Sequence, residues 1–323
     1  MASPPIAMRP FPTARWWSVA RWIALATVPL LLIWLVLDSA TGLKFLWYLA
    51  IPLLPASFFV STKIWRGICP LATLNELGNR IGHPRPLPAT TARWLTVAGL
   101  GLFFLMVPAR RFAFNENGLA LAITVVAVGT LALALGALFQ VRSAFCNALC
   151  PVLPVELLYG QAPVAQMNRT RCSTCTTCTP LGCPDLAEAK AIPQLLGATR
   201  RTTRWLATPH GAFFAALPGF IIGYNQLADG PVSAAAVVYG TTLGWSMVSF
   251  LSIGLVVLAF RLDAARTLPF VAAAAGGLYY WYAGPSIATQ FAAPQGVATG
   301  IQAVGIGLAA WWLGRTLSTT TFR

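Results

Sequence analysis

The chain is poor in charged residues, which make up 9% of its 323 positions, whereas 57% of the positions are hydrophobic. Soluble domains carry about a quarter charged residues, so this scarcity excludes a soluble globular protein. A formal net charge of +14 would suggest a nucleic-acid partner in a soluble chain. In so apolar a chain we interpret the cations as membrane orientation signals, and we expect the lipid bilayer, not nucleic acid, as the partner.

The sequence also lacks catalytic motifs. It shows no long soluble domain, no nucleotide-binding glycine loop after a strand and no constellation of catalytic residues. Histidine occurs only twice, at His83 in a polar loop and at His210 at the start of an apolar segment. A haem b normally takes two axial histidines from facing helices, so the sequence disfavours haem. As an enzyme, the chain would be at most a quinol dehydrogenase-like electron-transfer component.

Apolar segments long enough to cross a bilayer recur along the chain, given about 20 residues for one crossing. They cover residues 20–38, 43–61, 94–109, 119–140, 205–226, 233–260, 267–284 and 295–314. The sequence therefore predicts an all-α integral membrane protein with about eight transmembrane helices.

The distribution of Lys and Arg predicts the orientation of these spans. Of the 22 Lys and Arg, only Lys44, Arg110 and Arg111 lie in loops that follow odd-numbered spans. By the positive-inside rule, the opposite side, which holds both termini and all seven cysteines, faces the cytoplasm. We expect a multi-pass protein of the bacterial inner membrane. In the reducing cytoplasm, clustered cysteines are more typical of metal sites than of disulfides.

Six of the seven cysteines lie between residues 146 and 183, in two patterns. The patterns are Cys146-x3-Cys150-Pro151 and Cys172-x2-Cys175-x2-Cys178-x4-Cys183-Pro184. The second is close to the bacterial ferredoxin run, in which closely spaced thiolates surround a 4Fe-4S cluster. Zinc sites usually combine two separated pairs of ligands, which this run does not provide. The sequence therefore predicts a small cytoplasmic ferredoxin-like iron-sulfur loop module.

The chain repeats itself within its first half. WRGICPLATLNELG from Trp65 aligns with CNALCPVLPVELLYG from Cys146, which superimposes Cys69 and its following proline on Cys150 and its proline. The first four spans are thus predicted to be two repeated hairpins, each with a Cys-Pro element at its foot on the cytoplasmic side. The predicted domains are an N-terminal segment (1–19), the repeated hairpins (20–160), the cysteine module (161–204) and a C-terminal four-helix membrane domain (205–323).

Paired spans that end in Cys-Pro elements, followed by a cytoplasmic ferredoxin run, resemble the membrane-bound 4Fe-4S ferredoxin-type proteins of the NapH, NosR and CcoG group. The resemblance covers about residues 20–190. Members pass electrons between quinol and clusters or assist metalloenzyme maturation. This chain departs from the pattern in three ways: Trp65 replaces a cysteine, the last spacing is x4 where x3 is usual, and there is one ferredoxin run where larger members have two.

The resemblance implies cysteine ligands for the iron. The expected metal ligands are Cys69, Cys146, Cys150, Cys172, Cys175, Cys178 and Cys183. In the two-cluster arrangement, the three closely spaced thiolates of the run would take Cys150 or Cys69 as their fourth ligand. The three remaining cysteines could hold a second cluster only with a non-cysteine ligand or an open iron. A single cluster closed by Cys183 is the alternative, and we favour two clusters over one.

Three ionisable residues are candidates for binding a quinone. His210 begins a predicted span, where it could donate to a quinone carbonyl, complete a cluster, or form a hydrogen bond that packs two helices. Glu76 and Glu156 follow the two Cys-Pro elements at nearly matching offsets. Each could carry quinol protons, or lie on the surface of a helix.

The predicted function is membrane electron transfer between the quinone pool or a cytoplasmic donor and a protein redox partner. Two alternatives belong to other classes. The chain could be an accessory factor in metalloenzyme maturation, or a structural electron-transfer subunit of a larger respiratory or photosynthetic complex.

Overall fold

The computed structural model describes residues 15–165, 185 and 188–318. Within these ranges the chain is helical, and β pairing is limited to one isolated bridge between Arg85 and Phe139. The α-helices are α1 (Arg15–Leu37), α2 (Ser39–Phe45), α3 (Ile51–Val60), α4 (Thr62–Ile68), α5 (Pro70–Ile81), α6 (Ala89–Ala109), α7 (Gly118–Leu138), α8 (Leu153–Tyr159), α9 (Glu188–Leu196), α10 (Pro209–Asn225), α11 (Ala235–Ala259), α12 (Ala264–Gln290) and α13 (Gln295–Ser318). Two π-helical turns, Leu46–Ala50 and Phe145–Leu149, precede α3 and Cys150.

Six helical segments among the described residues are long and apolar enough to cross a membrane. They are Trp17–Leu37, Ser39–Val60, Ala89–Ala109, Gly118–Leu138, Val232–Ala259 and Gln295–Ser318. They confirm a helical multi-pass membrane protein. The other two predicted spans, 205–226 and 267–284, overlap α10 and α12. Because α10 has 17 residues, fewer than the roughly 20 of a typical crossing, the count of eight stays a prediction.

The segments that follow α1, α6, α10 and α12 meet at one end of the bundle. Lys44 Nζ, in α2, lies 4.8 Å from the centre of the Phe291 ring, which follows α12. Arg110 and Arg111, after α6, lie 2.6 and 2.9 Å from the carboxylate of Asp229, which follows α10. The three cations that the sequence assigns to one side of the membrane therefore lie in segments that are in contact with one another.

The two Cys-Pro elements have the same backbone conformation. Cys69 has φ −54° and ψ 122°, and Cys150 has φ −59° and ψ 119°. Each residue precedes a proline, whose ring disfavours the α conformation of the residue before it. Each cysteine therefore ends one helical segment, and another helix follows it: α5 after Cys69 and α8 after Cys150. The two Cys-Pro elements therefore share a local backbone conformation, and the repeat of whole hairpins stays a prediction.

Both Cys-Pro elements lie beside the interior of a candidate span. Gly99 is the central residue of α6, and a Cβ atom there would lie 2.7 and 2.8 Å from the carbonyl oxygens of Leu149 and Ala148. Cys69 packs in the same cluster as Ala132 of α7. The second element approaches α6 closely because the chain turns back after α7 and runs along α6, where Gly99 has no Cβ atom to clash with Leu149. The placement of both elements at the feet of spans stays a prediction.

Candidate functional site

The three described cysteines belong to one apolar cluster. Cys146 is buried in it, and Cys69 and Cys150 pack against it together with side chains of α6 and α7. All three are free thiols. The fold therefore brings the two Cys-Pro elements together.

The environment of these thiols combines burial with positive charge. Burial raises the pKa of the Cys150 thiol to about 12. Burial also raises the pKa of Cys146 well above its usual value, while Arg142 and Arg66 act in the opposite direction. Because the thiolate is the form that binds metal, the two guanidinium groups favour the state that a metal-bound cysteine needs.

Next to the cysteines, six buried side chains of alternating charge form what we name the buried ion chain. In order, its members are Arg21, Glu76, Arg142, Asp185, Arg66 and Glu156. Consecutive members are joined by N–O contacts of 2.5 to 2.9 Å, and none is more than 8% exposed. Three arginines and three carboxylates give a formal charge of zero, which is how charges are tolerated in an apolar interior.

Asp185 joins the two repeats from a position after the cysteine run. It accepts hydrogen bonds from Arg66, in the first repeat, and from Arg142, close to the second Cys-Pro element. Burial alone would raise the pKa of Asp185, but Arg66 and Arg142 hold it well below its usual range. Arg66 also donates to Asn147 Oδ1 at 2.5 Å, and these two residues occupy equivalent positions in the sequence repeat.

Both flanks of the ferredoxin run are attached to the segment between α3 and α4. On the upstream side, the Ala165 N–H donates to the Val60 carbonyl oxygen at 3.0 Å. On the downstream side, Glu188 Oε1 accepts from Ser61 Oγ at 2.7 Å and from the Lys63 N–H at 3.1 Å. The chain is therefore attached to this segment both before and after the run, and α4 connects the same segment to Cys69.

Four of the predicted ligands lie outside the described residues, namely Cys172, Cys175, Cys178 and Cys183. In the part of the chain that the structure describes, no three His, Cys, Asp or Glu side chains are grouped so that they could hold a metal ion. The three described thiols do not make a metal site by themselves. The donor chemistry of the whole set fits an iron-sulfur cluster, because all seven side chains supply the soft thiolates that such clusters require.

The other three candidate residues, Glu76, Glu156 and His210, are all buried. Glu76 and Glu156 are 8% and 3% exposed and are paired with arginines, so their interpretation as surface carboxylates is wrong. His210 is also buried, at the first turn of α10, with its ring centre 6.0 Å from that of Phe214. It is not a member of the buried ion chain.

The sequence analysis did not single out Arg21, Arg66 or Asp185. A signal for Asp185 was available, because it is one of only eight acidic residues and directly follows Cys183-Pro184. An acidic residue is costly in an apolar chain unless it has a partner, and the basic residues of the Cys-Pro elements are suitable partners. Which arginine pairs with which carboxylate depends on contacts between segments distant in sequence.

Comparison with protein-family models, with curated proteins and with solved structures gave no match in any of the three.

Proposed function

We propose that this chain is a membrane electron-transfer protein that binds 4Fe-4S clusters through its cysteines. The observation that carries the proposal is the attachment of Asp185 to Arg66 and Arg142 beside Cys69, Cys146 and Cys150. Among known proteins, the resemblance of these motifs to the NapH, NosR and CcoG group supports the same function.

Chain geometry connects the ferredoxin run to the Cys-Pro elements. Cys183 precedes Asp185 by two residues, so their Cα atoms are at most about 7 Å apart. Asp185 in turn contacts Arg66, three residues before Cys69, and Arg142, four residues before Cys146. Asp185, which follows the run, therefore lies beside the two repeats. This supports clusters whose ligands come from separate segments.

The buried arginines also suit the charge of such a site. An iron-sulfur cluster with thiolate ligands is anionic, and its potential depends on the net charge and hydrogen bonds around it. Arg66 and Arg142 act electrostatically on Cys146 and are themselves fixed by carboxylates. When bound, the clusters supply one-electron transfer. The described residues hold the two Cys-Pro elements together and attach Asp185 to them through Arg66 and Arg142.

The finer features of the proposal follow the sequence. The clusters face the cytoplasm of a bacterial inner membrane, because that side carries most of the cations. Two clusters are favoured over one, and the electrons pass between the quinone pool or a cytoplasmic donor and a protein redox partner.

The test is the iron and acid-labile sulfide content of the anaerobically purified chain, with electron paramagnetic resonance of the dithionite-reduced protein. About eight of each per chain would indicate two clusters, and about four would indicate a single cluster. Cys175→Ala should lose a cluster, whereas the neighbouring Thr176→Ser should keep full iron content. Absence of iron and sulfide from the wild type, or full iron in Cys175→Ala, would overturn the proposal.

A further inference from the structure

A cavity that we name the aromatic pocket lies between α3, α6, α8, α10 and α12. Its volume is about 370 Å³, within the range typical of small-molecule sites. At one end it is lined by Pro151 and Val152, the two residues that follow Cys150. At the other end it is lined by Arg110 and Arg111. The pocket therefore extends from the second Cys-Pro element toward the end of the bundle that carries few cations.

Two tyrosine hydroxyls in the pocket lack hydrogen-bond partners within the described residues. Tyr159 and Tyr279 both line the cavity, and Tyr159 is only 2% exposed. Tyr279 is partly buried. Tyrosine hydroxyls in apolar surroundings usually have a partner, so two that border a cavity without one are available to an acceptor inside it. The rings are held in place by neighbours, since Tyr159 stacks on Phe59 with ring centres 4.5 Å apart.

The charged end of the pocket is fixed by ion pairs and hydrogen bonds. Arg110 and Arg111 share the carboxylate of Asp229, and Arg110 also donates to Tyr48. The groups near the cavity without partners in the described residues thus include the hydroxyls of Tyr159 and Tyr279, which can donate to a ligand that carries acceptor oxygens.

The remaining lining is apolar and aromatic. Phe103, Phe220 and Tyr224 line the cavity along its length, and the rings of Phe103 and Phe220 lie 4.9 Å apart. Aromatic walls favour stacking with a flat ring more than contact with a flexible acyl chain alone. The required ligand combines a flat ring, at least one acceptor oxygen on it, and solubility in the bilayer.

We propose that the aromatic pocket binds a quinone, with the hydroxyls of Tyr159 and Tyr279 donating to its carbonyl oxygens. None of the three residues that the sequence analysis suggested for this role, His210, Glu156 and Glu76, lines the pocket. The bound ring lies in the cavity that Pro151 borders, close to Cys150. The part played by this ligand in electron transfer rests on the proposed function, whereas its binding does not require a cluster.

The experiment measures binding of a ubiquinone analogue with a ten-carbon tail to the full chain in detergent, by calorimetry. We expect saturable binding of one molecule per chain. Tyr159→Phe and Tyr279→Phe should each weaken it about threefold to tenfold, the effect of one neutral hydrogen bond. Tyr282→Phe is the matched control, because Tyr282 lies on the same helix as Tyr279 but does not line the pocket. Ala283→Phe, which places a ring in the cavity, should abolish binding.

Unchanged affinity in both tyrosine variants, or an equal loss in Tyr282→Phe, would overturn the assignment. Retention of a phospholipid that the quinone does not displace, detected by mass spectrometry of the purified chain, would assign the pocket to lipid instead. Cys175→Ala separates the two proposals, since iron-free protein should still bind the quinone. If the wild-type chain binds quinone but contains no iron, the assignment of the pocket to quinone is supported and the proposed electron-transfer function is overturned.

Discussion

Arg66 and Asp185 form a two-point ion pair across 119 residues of sequence. The Nε and Nη2 atoms of Arg66 donate to the two carboxylate oxygens of Asp185 at 3.0 and 2.8 Å. Both side chains are buried. This fork geometry is the strongest form of a charge-assisted pair, and it fixes the chain directly after the cysteine run against the chain directly before Cys69.

Replacement of Asp185 should be strongly destabilising. Asp185→Asn leaves Arg66 and Arg142 without the carboxylate that they share, so two buried positive charges face each other across a neutral amide. Breaking a buried pair in this way costs about 3 to 5 kcal/mol. Thermal and denaturant unfolding of the purified chain in detergent should show this loss.

Asp38→Asn is the control for this substitution. Asp38 caps α2 by accepting from the Thr41 N–H, and asparagine caps a helix equally well. A loss of similar size in both variants would contradict a special role for Asp185.

Arg66→Lys tests the geometry of the pair separately from its charge. Arg66 donates to Asp185, Glu156 and Asn147 at once, whereas the ammonium of lysine cannot reproduce the planar fork. We expect the free energy of unfolding to fall by about 2 to 4 kcal/mol, because one or two charge-assisted hydrogen bonds are lost. The measurement is the free energy of unfolding, with the exposed Arg201→Lys as reference. Equal stability of the two variants would argue that charge alone matters.

A pair of glycines on α6 tests the depth of the second Cys-Pro element. Gly99→Ala places a Cβ atom 2.7 Å from the Leu149 carbonyl oxygen, whereas no atom lies within 4 Å of a Cβ at Gly101. Overpacking should cost Gly99→Ala about 1 to 3 kcal/mol. Gly101→Ala should be neutral or stabilising by up to about 1 kcal/mol, because alanine is the better helix former. The measurement is the midpoint temperature of thermal unfolding of the two variants. Identical midpoints would show that Leu149 does not lie against the centre of α6.

The orientation in the membrane is tested by two exposed loop positions. Glu116 and His83 lie in loops on opposite sides according to the positive-inside rule. In spheroplasts, a membrane-impermeant maleimide should add one label to Glu116→Cys beyond the wild-type level. His83→Cys should gain its label only after the membrane is permeabilised. The reverse pattern would place the cysteines on the outer face.

The sequence predicted the helical elements well because their signals are local. The predicted third span, 94–109, is contained in α6, and the predicted fourth span, 119–140, almost coincides with α7. Hydropathy is a sum over neighbouring residues, and it needs no knowledge of packing. The repeat was equally accessible, since proline constrains Cys69 and Cys150 to the same backbone conformation.

The candidate site was only partly predictable. The three described cysteines do come together, whereas the four cysteines of the run lie outside the described residues and their role stays a prediction. Glu76 and Glu156 were noticed, but their pairing with Arg21, Arg142 and Arg66 was not predicted. Which residues form an ion pair depends on the tertiary structure. No local sequence pattern indicates which of the 22 basic residues lies beside a given carboxylate.

By itself, the sequence determined that this is a multi-pass helical membrane protein with a repeated Cys-Pro element, because composition, hydropathy and proline act within a few residues of the chain. Only the tertiary structure decided that Arg66 meets Asp185, that Leu149 lies against the centre of α6, and that Tyr159 and Tyr279 share a cavity. These relationships arise when helices distant in sequence pack together, and burial then gives each polar group its partner or leaves it available for a ligand.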